Sequence, residues 1–86
     1  WSQSGSATVD LLVQWASSAM LEKRYTSALD FLNEAIAIDP DYAEAWNRRA
    51  TVYYLRNDYA HAMYDINRTL ELEPRHYGAL TGMAEI

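Results

Sequence analysis

Eighty-six residues fall short of an ordinary domain of roughly 100–200 residues, which excludes a two-domain enzyme. Half the residues are hydrophobic, 13% are aromatic and 22% are charged, the makeup of a chain that packs a core. With no cysteine there is no disulfide framework and no thiolate nucleophile, and seven Lys and Arg against twelve Asp and Glu leave a net charge of −5, the wrong sign for nucleic acid or an anionic membrane surface.

The first predicted helix covers 9–22, where Leu12, Trp15, Ala16 and Ala19 recur at helical spacing. Its uncharged run holds Gln14, Ser17 and Ser18 and is too short and polar to insert into a bilayer. Lys23-Arg24 makes a less favourable turn. A second helix, 25–38, carries Ala28, Leu29, Leu32, Ala35 and Ile36, and ends before Pro40, which disfavours helical backbone in the residue ahead of it. A third helix spans 42–55, with Trp46, Ala50 and Tyr53 on one stripe and Asn47, Thr51 and Tyr54 on another; Asp41, three residues before Glu44, reads as its capping-box start. Asn57 suits a left-handed turn residue and Asp58 a cap for the fourth helix, 59–72, which carries Ala62, Ile66, Thr69 and Leu70 and stops before Pro74. Residues 77–86 read as a fifth helix, and no strand pattern appears.

The two prolines lie 34 residues apart, and the same offset links Ala16 to Ala50, Leu21 to Leu55, Tyr25 to Tyr59, Ala28 to Ala62 and Asn33 to Asn67. The reading is therefore one all-α unit over residues 1–86: repeat one at 9–42, repeat two at 43–76 and the first helix of a third at 77–86, about two and a third repeats. Trp1 and Ile86 read as cut ends of a longer parent. Leu80, Met83 and Ala84 are expected to lack the second helix that would cover them, so that 77–86 docks on 59–72 and its outer side is available for self-association.

This pattern resembles the tetratricopeptide repeat family, a 34-residue helix–turn–helix unit. Repeat two matches at Trp46, Ala50, Tyr53, Tyr59, Ala62, Ile66, Thr69 and Pro74; repeat one matches at Leu12, Ala16, Ala28, Leu32, Ala35 and Pro40. The phrasing around Asp41–Asn47 and Glu73–Leu80 resembles small alphaproteobacterial members, which implies a bacterial cytoplasmic or periplasmic setting. The resemblance implies helix pairs stacked as a right-handed α-solenoid, serving as a protein interaction scaffold. The departures are Arg49 in place of Leu, expected to lay its stem along the core with its head in water, and Ala19 in place of Tyr, a gap for Trp15 to fill.

In the resembled fold the first helix of each repeat lines a concave groove. That makes Asn47, Arg48, Thr51, Tyr54 and Leu55 the binding candidates of repeat two, and Val13, Gln14 and Ser17, with Met20 and Leu21, those of repeat one. Thr81, Gly82 and Glu85 are their counterparts in the third. Amide and guanidinium donors beside apolar area suit a peptide or helix of a protein partner. Val13, Ser17, Gly78 and Gly82 occupy the positions where chaperone-tail-binding members carry a two-carboxylate clamp, so that clamp is not expected. Trp15, Trp46, Tyr53 and Tyr59 are assigned to the core. His61 and Asp65, with Asp58 a turn earlier, are a poor transition-metal set and read as a helix-surface ion pair or solvated face; His76 reads as packing or solvated. No hydrolase, metalloprotease or phosphate-loop motif is present. Neither catalysis, a cofactor nor a metal is expected; the alternative function is self-association through the repeat ends.

Overall fold

The computed structural model describes residues 7–85, which form five helices and, among those residues, no strand: α1 (Ala7–Leu21), α2 (Tyr25–Ile38), α3 (Ala43–Leu55), α4 (Tyr59–Leu72) and α5 (Tyr77–Glu85). The expected boundaries of α2 and α4 are reproduced, those of α1 and α3 move by one or two residues, and α5 begins at Tyr77 as expected. Trp1 and Ile86 lie outside the described residues.

Two kinds of turn repeat at the 34-residue offset. Between α1 and α2, Lys23 takes a left-handed φ of 61°, its amide bonds the Met20 carbonyl (3.0 Å), and the Arg24 amide reaches back to Ala19 (2.8 Å). Between α3 and α4, Asn57 takes φ 63°, its amide bonds Tyr54 (2.9 Å), and Asp58 reaches Tyr53 (2.9 Å). Both are Schellman closures that satisfy the last helical carbonyls. Asn tolerates the left-handed region, whereas a lysine Cβ crowds the following carbonyl, which is the unfavourable feature expected at this turn. Asp58 caps α4 as expected, accepting the His61 amide at 3.3 Å. After α2 and α4 the chain leaves in matching fashion, with the Asp39 amide on Ala35 and the Glu73 amide on Thr69 before each proline. Asp41 does not cap α3. The cap position belongs to Tyr42, whose extended φ −85°, ψ 99° places Asp41 outside the helix, and it makes no side-chain cap bond.

Helix pairs close on small residues. Ala16 and Ala28 in the first pair, and Ala50 and Ala62 in the second, are all essentially buried, so the paired backbones approach closely where larger side chains would hold them apart. Val9, Leu12, Val13, Leu29, Leu32, Ile36, Trp46 and Val52 belong to one core running through both pairs; Ala50, Ile66 and Ala79, with Met63, Leu70 and Met83, make a second under α5. The docking of α5 on α4 is thus as expected. Its outer side is bare: Leu80 is 41% exposed and Ala84 is exposed, while Met83 is half-buried in the second cluster.

Arg49 departs most from expectation. Its head does not lie in water: Nε and Nη2 bond the two carboxylate oxygens of Asp65 at 2.8 and 2.9 Å, and Nη1 donates to Asn33 Oδ1 of α2 at 2.9 Å. The guanidinium also stacks 4.9 Å from the Trp46 ring. Asp65 is 1% exposed, so it is a core group and not part of a surface pair with His61, which instead contacts Asp58 at 2.7 Å. The hydrogen-bonded Asp65 carboxylate holds the Arg49 guanidinium above its ordinary pKa, against the opposing effect of burial. Trp15 and Phe31 stand at the positions of Arg49 and Asp65 one repeat earlier, with ring centroids 5.9 Å apart. Trp15 is 50% exposed and packs on Phe31, a correction to its assignment as core. Tyr59 is likewise exposed and its hydroxyl donates to Asn57 (3.0 Å), whereas Trp46 is buried with its indole donating to the Pro40 carbonyl at 2.8 Å.

Relieving the left-handed lysine should stabilise the fold: Lys23→Gly is expected to gain about 1 kcal/mol, a rise in Tm of roughly 4–8 °C, in a thermal melt followed by circular dichroism. Asp65→Ala leaves a largely buried guanidinium unpaired and should cost about 3–5 kcal/mol, while replacing Arg49 and Asp65 together by leucines should recover most of that loss in a urea titration.

Candidate functional site

The first helices of successive pairs touch: α1 packs on α3 and α3 on α5, while α2 and α4 do not meet. Inner helices in contact and outer helices apart give a curved array whose concave face carries α1, α3 and α5. Two clefts open there. One, of about 150 Å3, lies between α3 and α5 and is lined by Asn47, Thr51, Tyr54, Thr81, Gly82 and Glu85 over a floor of Ala50 and Ile66, with Gly78 at its side. The other, of about 240 Å3, lies between α1 and α3 and is lined by Ser17, Met20, Leu21, Arg48 and Leu55.

Six of the eight candidates therefore line a cleft: Ser17, Asn47, Arg48, Thr51, Tyr54 and Leu55. Val13 does not. Its side chain is buried in the main core. Gln14 is exposed but lines neither cleft.

The polar groups are unequally free. Ser17 Oγ donates to the Val13 carbonyl (3.1 Å) and Thr51 Oγ1 to the Asn47 carbonyl (3.1 Å), so both hydroxyls face back onto their own helix. Arg48 Nε lies 3.3 Å from Glu44 Oε1 in an ion contact without hydrogen-bond geometry. The half-buried Asn47 side-chain amide bonds no described residue. The Tyr42 phenol, at the start of α3, is held above its ordinary pKa by burial and then by Asp10 and Glu44, with Arg48 opposing and Glu73 adding.

His76 sets the third wall. It stands 34 residues after Tyr42, at the N-cap of α5, and its Nδ1 accepts the Ala79 amide at 3.1 Å while Nε2 lies 3.6 Å from Glu44. An acceptor at Nδ1 requires the neutral ring with its proton on Nε2. A Cβ on Gly78 would sit 3.1 Å from His76 Cε1 and 3.4 Å from Asn47 Nδ2, so glycine there lets α5 come up against both. The capping role of His76 and the floor residues Ala50 and Ile66 were missed from the sequence; the offset from the Tyr42 cap could have pointed to the first. Among the described residues no three His, Asp or Glu side chains converge on a metal position, and no helix is long and apolar enough to cross a membrane.

Comparison with known proteins returns two family models, one described as a TPR repeat over residues 20–57 and one as a tetratricopeptide repeat over residues 43–76. A TPR repeat-containing protein of Rhizobium etli is 59% identical across all of this chain, which spans 42% of that protein's length. The DnaJ protein P58IPK homolog B of rice is 35% identical over 73% of the chain and 13% of its own length, and the human protein SGT1 homolog 32% identical over 88% and 21%. The chain therefore spans less than half the length of these curated relatives.

Removing the α5 cap should loosen one wall selectively. His76→Ala is expected to raise amide exchange across residues 77–85 by the equivalent of about 1 kcal/mol of lost capping, with α1 to α4 unchanged in the same exchange experiment.

Proposed function

The chain belongs to the tetratricopeptide repeat family, and we propose that it is a non-enzymatic interaction scaffold whose concave groove, formed by α1, α3 and α5, holds a peptide or helix of a partner protein. Repeats of this family generally mediate protein–protein contact. The observation that carries the finer reading is the pair of side-chain-sized clefts on consecutive first helices, lined by six of the residues singled out for binding. The Asn47 amide in the α3/α5 cleft offers a donor and an acceptor to an incoming backbone, whose own peptide groups need partners once removed from water.

A peptide selected on the chain and titrated into isotope-labelled protein should shift the NMR signals of Leu21, Asn47, Thr51, Tyr54 and Leu55, leaving Asp30, Glu34 and Tyr64 on the outer helices unmoved. Asn47→Ala should weaken that peptide roughly tenfold, the equivalent of one net hydrogen bond, with helix content unchanged. Shifts confined to the outer helices would refute the groove as the site.

A further inference from the structure

The two clefts differ in chemistry, and the difference specifies an occupant. The cleft between α1 and α3 has an apolar lip: Leu21 is 87% exposed and Leu55 46%, with Met20 beside them. Ser17 is engaged by its own helix and Arg48 stands in ion contact with Glu44 without a hydrogen bond, and the apolar lip gains by taking an apolar side chain out of water. The cleft between α3 and α5 ends in Glu85, whose carboxylate meets no cation among the described residues. With Arg48 neutralised, Glu85 is the unbalanced charge of the groove lining. The whole chain carries −5. An acidic segment would be repelled along this face and a basic one drawn to it.

The step between neighbouring helices is about 8–10 Å. A segment in polyproline II conformation rises about 3.1 Å per residue and returns to the same side every third residue, so positions i and i+3 match that step. An extended backbone also has peptide groups free for Asn47, which a helix, with its backbone bonded internally, lacks.

Resting on the groove reading above, we propose that the partner presents an extended segment with a large apolar side chain and, three residues away, a lysine or arginine: the apolar group enters the α1/α3 cleft and the cation meets Glu85. This assigns the groove a basic, apolar-anchored peptide as its ligand class.

The test uses nonapeptides selected from a random display library on the intact chain, resynthesised and measured by fluorescence anisotropy. Enriched sequences should carry Leu, Met or Phe three residues from Lys or Arg. Glu85→Lys, confirmed as folded by circular dichroism, should weaken them at least fivefold, and exchanging the peptide's Lys for Glu should restore binding to that variant. Selected peptides that are acidic or indifferent to charge, yet still shift α1, α3 and α5 signals, overturn this inference and leave the groove reading standing. An absence of selected peptides, or shifts on the outer helices alone, overturns both.

Discussion

The Arg49 guanidinium is the point at which the two helix pairs are registered against each other. Its fork grips Asp65 within its own pair, its remaining nitrogen reaches Asn33 in the pair before, and its face lies on Trp46, whose indole pins the Pro40 carbonyl between them. A buried ion pair is a weak source of net stability, because desolvating both charges offsets most of their attraction. Its geometry is demanding, however: a planar fork satisfied on three sides accepts one register of α3 against α2 and α4 and leaves donors unmet in any other. Shifting α3 by one residue would strand a charge in the core. The same positions one repeat earlier hold Trp15 and Phe31, an apolar pair that tolerates many alignments and that faces no preceding helix among the described residues.

The groove follows from that registration. With α3 locked between α2 and α4, the alanines close each pair, the inner helices touch while the outer ones stay apart, and the concave face carries Asn47, Thr51 and Tyr54. His76 then helps place α5 by accepting from its own first turn, with its other ring nitrogen 3.6 Å from Glu44 of α3. The cleft between α3 and α5 is therefore shaped by a cap, a glycine and a buried pair.

The helices were legible in the amino-acid sequence because each signal was local. Pro40 and Pro74, the left-handed Asn57 and the Asp58 cap act within one turn of the chain, and the 34-residue offset converted one well-marked repeat into a guide for the other. What the periodicity could not show was which polar residues meet across helices. Arg49 and Asp65 lie on different helices, and on its own helix Asp65 looks like a partner for His61; only the packing of α3 on α4 separates the two readings. Trp15 failed for a related reason. An aromatic residue at helical spacing is normally core, yet its place in the array is where one repeat meets the one before it. Val13 was placed in the groove by its repeat position, while burial in the main core decides its actual surroundings. The groove lining was otherwise readable, since exposed stripes on first helices follow the same period as the core.

The two Schellman turns carry a kinetic consequence. Each joins its helices through three residues, Glu22–Arg24 and Arg56–Asp58, so most native contacts connect parts of the chain that are never far apart. Little loop-closure entropy stands before either hairpin, which places folding in the microsecond to millisecond range typical of helical topologies. Either hairpin can serve as a nucleus, and the other then adds across the Asn33 bond. Growth of the array can thus start at either turn, and the strained turn at Lys23 biases it toward the second hairpin.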